Sequence, residues 1–133
     1  MSKNVEFASK ALIIHRGKIL VLHKSVAREG VWELPGGRLV YGETPEQTLH
    51  REVMEETNLA VNIIKVLDTW TSIHDSYQIA GVIYLCEIKS GQLQLSNEHD
   101  MYKWINPDRA SIDGMHPVFR EKMLKWNWND IFR

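Results

Sequence analysis

Residues 43–56 concentrate carboxylates in a way that local helix stability does not explain. The glutamates of this stretch are Glu43, Glu46, Glu52, Glu55 and Glu56. If the stretch is helical, Glu52 and Glu56 lie along one border of its apolar stripe, and Glu55 lies just beyond them. Two like charges at i and i+4 cost roughly 0.2–0.5 kcal/mol. Anions at the negative end of the helix dipole cost roughly 0.3–1 kcal/mol. A bound cation would reverse the sign of each of these contributions.

An ordinary surface helix with ion pairs is the alternative interpretation of the same residues. Arg51 can reach Glu55 at i+4, and Glu46 suits the positive N-terminal end of the helix. Neither contact accounts for Glu52 and Glu56. Clustered carboxylate oxygens without histidine or cysteine favour Mg²⁺, or Mn²⁺, over zinc. Because Mg²⁺ commonly shares its coordination with substrate phosphates, these residues predict phosphate chemistry at a divalent metal and leave the reaction open.

The helix that carries these carboxylates is marked at both ends. Thr44 is a good N-cap, Pro45 suits the first helical position, and Gln47 completes a capping box with Thr44. Asn58 tolerates the left-handed conformation of a C-terminal cap. The pattern therefore predicts a helix over residues 45–57. Its core-facing stripe contains Pro45, Leu49, Val53 and Thr57, and its outward face contains Gln47, His50 and Met54.

Apolar runs rich in β-branched residues predict a sheet around this helix. The predicted strands are 7–15 and 18–24, joined as a hairpin, and 60–70, 77–88 and 101–105, with a loop at 25–30. Residues 116–128 have the pattern of an amphipathic C-terminal helix. Its candidate core residues are Val118, Phe119, Met123 and Trp126. Strands with two well-separated helices predict an α/β fold with a mixed sheet covered on both sides.

Composition limits the class of protein. With 133 residues, 44% apolar and 25% charged, the chain matches one globular domain spanning 1–133. A net charge of −1 gives no basic footprint for polymeric nucleic acid. Cys86 lies in an apolar run, which favours a buried core residue over a nucleophile. Without a signal peptide or a run near the ~18 apolar residues of a membrane span, a cytoplasmic protein with no membrane contact is expected.

The spacing of the charged residues resembles a known family motif. Gly37, five residues, Glu43, seven residues and then Arg51-Glu52-Val53-Met54-Glu55-Glu56 match the Nudix box, GX5EX7REUXEEXGU, over residues 37–59. The preceding "WELPGG" is also typical of this family. One position departs, since Asn58 stands where the family has its second glycine, and asparagine tolerates the same backbone conformation. The order of predicted elements resembles the MutT-like α/β/α sandwich, with a mixed sheet flanked by the box helix and the C-terminal helix.

The resemblance implies hydrolysis of a nucleoside diphosphate linked to another group, with Mg²⁺ or Mn²⁺ neutralising the charge that develops. It implies that Glu52 and Glu56 are the main metal ligands, that Glu55 supports them, and that the Gly37 carbonyl completes the set. Arg51 would orient the carboxylates and pair with Glu43, which would hold the preceding loop to the helix.

The remaining roles stay open between alternatives. The general base is either Glu52 or Glu98, which lies in a polar loop, with its neighbour His99 interpreted as a loop residue. Lys24 and Arg28 are candidate contacts to the substrate phosphates. Trp32 and Trp104 are interpreted as core residues, whereas Trp70, Tyr77 and Tyr41 could stack on a base.

The resemblance favours a MutT-type (d)NTP pyrophosphohydrolase, ahead of a pyrophosphatase for ADP-ribose or another nucleoside diphosphate sugar. A non-catalytic nucleotide sensor is the alternative from another class. The expected partner is a small nucleotide, and the oligomeric state is left open, with a homodimer as one option.

Overall fold

The computed structural model describes residues 3–24 and 31–133. Within these residues seven strands form one mixed sheet with the path β3-β2-β1-β6-β5, while β4 pairs with β1 and β7 pairs with β2. The strands are β1 Asn4–His15, β2 Lys18–Lys24, β3 Trp32–Glu33, β4 Gly36–Arg38, β5 Leu59–Ile73, β6 Tyr77–Gly91 and β7 His99–Ile105. The predicted hairpin and the three later strands are confirmed, although β5 and β6 are longer than predicted.

Strand β1 is the centre of the molecule and is buried on both faces. It runs parallel to β6 and antiparallel to β2 and β4. Because side chains alternate along a strand, Ala11 and Ile13 enter the first core cluster while Ala8 and Leu12 enter the second. The sheet therefore separates two cores, each covered by helix, as predicted.

Helix α1, Pro45–Thr57, covers the first of these cores. The capping box between Thr44 and Gln47 is present, and Asn58 ends the helix at φ 63° and ψ 20° in the left-handed region. The side chains of Leu49 and Val53 are fully buried. The predicted outward residues Gln47, His50 and Met54 are exposed. The sequence prediction for this helix is confirmed from end to end.

The C-terminal segment differs from the single helix predicted over 116–128. A short helix that was not predicted, α2 Arg109–Ile112, comes before this range, and the predicted helix is divided into α3 Pro117–Met123 and the start of α4 Trp128–Ile131. The break has a local cause, because the Asn127 side chain accepts the Asp130 N–H and starts a new helix. It also has a tertiary cause, since the Trp126 indole N–H donates to Asp68 at 2.8 Å. Phe119 and Met123 are buried as predicted, and they cover the second core.

Two further predictions concern single residues and membranes. Cys86 is fully buried in β6, and burial raises the pKa of its thiol to about 12, which confirms a core role. No helix within the described residues combines the length and apolar character needed to cross a membrane.

Candidate functional site

The candidate site lies where α1 meets the segment that links β3 to β4. We name residues 34–37, Leu-Pro-Gly-Gly, the diglycine turn; its two glycines are also the first residues of β4. The carboxylate of Glu56 accepts the Gly36 N–H at 2.9 Å. The carboxylate of Glu52 lies so close to Gly37 that a β-carbon there would overlap it. Two box carboxylates and the box glycine, separated by 15 residues or more in the sequence, therefore converge at one place.

Arg51 ties these groups to the loop before the helix. Its Nε and Nη2 donate to the two oxygens of Glu43 at 2.7 and 3.1 Å. Its Nη1 lies 3.0 Å from Glu55 and 3.3 Å from Glu52, and Nη2 also reaches the Arg38 carbonyl at 3.1 Å. The hydrogen bonds from Arg51 lower the pKa of Glu43 to about 2. The expected hydrogen bonds of Arg51 with Glu43 and Glu55 are therefore present in the structure.

The charged forms of Glu56 and Glu52 are disfavoured by their surroundings. Burial raises the pKa of Glu56 to about 7, against the opposing effects of the Lys10 charge and the Gly36 hydrogen bond. Burial also raises the pKa of Glu52, and the charges of Glu55 and Glu98 add to it, while Arg51 opposes it. A divalent cation at this place would favour both ionised carboxylates.

The donor chemistry fits a hard cation. The carboxylates of Glu52 and Glu56 and the carbonyl of Gly37 are oxygen donors, the type that Mg²⁺ and Mn²⁺ prefer. Within residues 3–24 and 31–133, no three acidic, histidine or cysteine side chains converge as a complete metal site. Glu55 is the member that stands apart, because its half-exposed carboxylate pairs with Arg51. A set of two carboxylates and one carbonyl suits Mg²⁺, which commonly keeps several waters.

A buried ionic cluster behind the diglycine turn was not predicted from the sequence. Lys10 is only 8% exposed, and its ammonium group lies 3.2 Å from the Leu34 carbonyl and 3.9 Å from Glu33. The other Glu33 oxygen lies 2.8 Å from His99 Nε2. Burial alone would raise the pKa of Glu33, but the His99 hydrogen bond and then the Lys10 charge lower it to about 2. The feature of the sequence that could have predicted this cluster is the lysine inside the apolar run "FASKALIIH".

The two remaining polar candidates lie on the same side of the molecule. Glu98 is exposed just before β7, and its charge raises the pKa of Glu52, so it lies within electrostatic reach of that carboxylate. His99 is not a loop residue as predicted. It begins β7, because its ring pairs with Glu33 in the interior and its backbone lies in register with Lys24.

Of the two candidate contacts to substrate phosphates, the structure describes Lys24. Lys24 ends β2 with an exposed side chain, and its charge also lowers the pKa of Glu33. Arg28 lies outside the described residues. Trp70 is 6% exposed and packs on Phe119, so the prediction that its ring could stack on a base is wrong for this conformation.

The other predicted aromatics divide between exposed and packed positions. Tyr41 is fully exposed, and the half-buried Tyr77 stacks on His74. Trp32 and Trp104 are partly buried, each packed against one of the two cores, as predicted.

Comparisons with known proteins give matches to this chain in both sequence and fold. A model of the NUDIX domain matches residues 8–126. A MutT-like protein from Streptomyces ambofaciens is 33% identical over 108 residues, covering 81% of this chain and 67% of that protein. An 8-oxo-dGTP diphosphatase from Proteus vulgaris is 41% identical over 66 residues, 50% of this chain and 48% of that protein. The chain thus spans about half the length of that diphosphatase in the match.

A solved structure gives the same result for the fold. The MutT protein from Methanosarcina mazei Go1 superimposes with a TM-score of 0.85 at 21% identity, covering 100% of this chain and 99% of that one. The predicted α/β/α sandwich is confirmed by this likeness.

Proposed function

The chain belongs to the Nudix hydrolase family, and on that basis we propose that it hydrolyses the pyrophosphate linkage of a small nucleotide with the help of Mg²⁺. The observation that carries the proposal is the convergence of Glu52 and Glu56 on the diglycine turn, with Arg51 held against both Glu43 and Glu55. Mn²⁺ would be accepted in place of Mg²⁺, because both prefer oxygen donors.

Each residue of the site has a proposed task. Glu52, Glu56 and the Gly37 carbonyl would hold the metal ion. When bound, the ion would neutralise charge that develops on the phosphate oxygens. Arg51 keeps Glu52 in place and, through Glu43, fixes the loop that leads into α1. Glu55 is proposed to support the ligands from the edge of the site.

The general base must take a proton from the attacking water. We assign this task to Glu52, because α1 fixes its side chain beside the other donors of the site. Glu98 is the alternative, on the exposed loop before β7. Lys24, and Arg28 four residues later in the sequence, are proposed to meet the substrate phosphates.

For the substrate we propose a nucleoside triphosphate or deoxynucleoside triphosphate. The support is the likeness to the MutT-like protein and to the protein named an 8-oxo-dGTP diphosphatase. The hydrolysis products of common dNTPs, 8-oxo-dGTP, ADP-ribose and dinucleoside polyphosphates should be separated by anion-exchange chromatography, after incubation with Mg²⁺ and with EDTA. Glu56→Gln is the inactive control. The proposal requires metal-dependent release of pyrophosphate from a triphosphate, whereas binding of nucleotides without any turnover would indicate a sensor.

The choice of base is tested by two matched variants. If Glu52 is the base, Glu98→Gln should lower kcat only mildly, whereas Glu52→Gln should damage both the rate and the affinity for Mg²⁺. General-base catalysis typically contributes about 10²–10⁴-fold, so the two outcomes are well separated. Rates against pH and Mg²⁺ concentration give the answer. A severe defect in Glu98→Gln that extra Mg²⁺ does not rescue would move the assignment to Glu98.

A further inference from the structure

Lys10 is a buried cation at the centre of the molecule, and nothing in the box motif accounts for it. We infer that Lys10 is a positioning residue, which holds the diglycine turn in the conformation that presents Gly37 to Glu52 and Glu56. The inference rests on the proposed function, because it concerns the metal site that those three residues would form.

Burying the charged Lys10 side chain has a large free-energy cost, which other contacts of the side chain must offset. Its position on β1 is one of the alternating positions that face the second core, where its neighbours Ala8 and Leu12 are apolar. Lysine is almost never so deeply buried unless it is paired. Its ammonium group lies 5.9 Å from the ring centroid of Trp70 and 5.7 Å from that of Phe119, both within cation–π range. Lys10 is therefore a charged residue at a position where the alternation of the strand would place an apolar one.

The ammonium group points at the backbone of the diglycine turn. It donates to the Leu34 carbonyl at 3.2 Å and to the Gly36 carbonyl at 3.5 Å, and Glu33 lies 3.9 Å away as its counter-ion. An ammonium group has three protons to donate. Each acceptor belongs to the segment that leads into Gly37, so the side chain of Lys10 holds this segment from the sheet.

The same turn is held from the other side by the helix. Glu56 accepts the Gly36 N–H at 2.9 Å, while Lys10 donates to the Gly36 carbonyl. Gly36 has φ +139°, and a β-carbon there would overlap the Ser9 carbonyl and approach the Cα of Lys10. The peptide unit that follows Gly36 also contains the Gly37 N–H. Lys10 and Glu56 thus bind the two successive peptide units that precede the Gly37 carbonyl, in addition to the backbone pairing of Gly36 and Gly37 with β1.

The burial of Lys10 separates this role from substrate contact. Lys10 is 8% exposed and its protons face acceptors of the protein itself. Lys24, in contrast, is exposed at the end of β2 and suits a substrate phosphate. A variant of Lys10 should therefore change metal binding before it changes substrate binding.

The test replaces Lys10 with methionine, which keeps much of the length and removes the charge and the donors. Mn²⁺ alone is the probe, and the free ion is counted by electron paramagnetic resonance in the absence of substrate. Loss of groups that orient metal ligands typically costs about 10–100-fold in affinity, and we expect a weakening of Mn²⁺ binding in this range for Lys10→Met. At saturating Mg²⁺, kcat should fall while the KM for substrate changes less than about threefold. Lys65→Met, an exposed lysine of β5, is the matched control and should change neither quantity.

Other roles of Lys10 predict other results. If Lys10 contributed only its charge, its removal would relieve repulsion and Mn²⁺ would bind equally or more tightly. If it touched the substrate, KM would rise with Mn²⁺ affinity preserved. Either result overturns the inference. Failure of the proposed function gives a different result. In that case Glu56→Gln would bind Mn²⁺ as tightly as the wild type does.

Lys10→Met removes the lysine partner of the buried Glu33 and leaves His99 as its contact, so a second variant and a wild-type measurement guard against loss of folding. Lys10→Met/Glu33→Gln removes both charges and is judged by the same Mn²⁺ criterion. In the wild type, nuclear magnetic resonance of ¹⁵N-labelled protein should show the Lys10 ammonium and Gly37 amide signals shifting together as Mg²⁺ is added. Movement of the Gly37 signal alone would contradict the inference.

Discussion

Replacing Glu56 with glutamine should remove activity, and the stability of the metal-free variant relative to the wild type should rise with pH. In the wild type the side chain is 5% exposed, and burial raises its pKa from 4.5 to about 7. Between these two values the folded protein binds the proton more tightly than the unfolded chain. The free energy of unfolding therefore falls as pH rises from 4.5 to about 7 and is constant above it. At 1.36 kcal/mol per pKa unit, the full cost of the ionised group is about 3 kcal/mol.

The variant has no such titration, so the difference between the two proteins depends on pH. Part of the gain is offset at every pH, because the new amide needs partners in the interior and an unmet one costs about 1–3 kcal/mol. The change of the stability difference with pH does not contain this offset, because the offset is the same at every pH. From pH 5 to pH 8, the unfolding free energy of Glu56→Gln relative to the wild type should rise by about 2 kcal/mol. For a chain of this size, this corresponds to very roughly 6–10 °C in Tm.

Urea unfolding in EDTA at the two pH values, followed by tryptophan fluorescence, measures this change. Glu87→Gln, at an exposed position of β6, is the control and should give a difference that is constant with pH. Saturating Mg²⁺ should stabilise the wild type more than the variant, since ligands stabilise the state that binds them. A relative stability of Glu56→Gln that stays flat or falls between pH 5 and pH 8 would refute the electrostatic account of Glu56. Retained activity would refute its role as a metal ligand.

Three further outcomes follow from the geometry of the site and the core. Arg51→Lys keeps the charge but loses the planar guanidinium group that binds several oxygens, so kcat should drop about 10–100-fold with a smaller change in KM. The circular dichroism spectrum should not change. Near-normal turnover would mean that only the charge of Arg51 matters. Gly37→Ala should displace the Glu52 side chain and lower kcat with little loss of Tm, whereas Gly114→Ala, where a β-carbon has room, should be neutral in both. Cys86 should react with a thiol reagent only at the rate of unfolding, because it is fully buried and its pKa is raised to about 12; fast labelling of the native protein would contradict this.

The helix of the box and its charged edge could be predicted from the sequence because the determinants are local. The Thr44 side chain accepts the Gln47 N–H three residues away, and Asn58 ends the helix through its own backbone conformation. Helical periodicity then places Glu52 and Glu56 at the border of the packed face. Contacts of this range are encoded within one or two turns of chain, so no knowledge of the rest of the fold is required.

The C-terminal segment shows where periodicity alone was insufficient. The apolar spacing over residues 116–128 predicts one helix; of its candidate core residues Phe119 and Met123 are buried, and Val118 and Trp126 are partly buried against the same core. The break between α3 and α4 depends on Trp126, whose indole N–H reaches Asp68 on β5, 58 residues earlier in the chain. The choice between a continuous helix and a broken one is made by this partner, which a helical wheel does not contain.

Short-range spacing was sufficient to predict the family, the fold class and the position of Glu52 and Glu56 at the border of the packed face. The surroundings of these carboxylates depend instead on contacts between distant parts of the chain. Lys10 meets the Leu34 carbonyl across 24 residues, and His99 meets Glu33 across 66. A charge is stable in the interior only if a partner arrives from elsewhere in the chain, and the partner is chosen by strand pairing. For that reason the buried cluster behind the diglycine turn became visible only when β1, β3 and β7 were assembled.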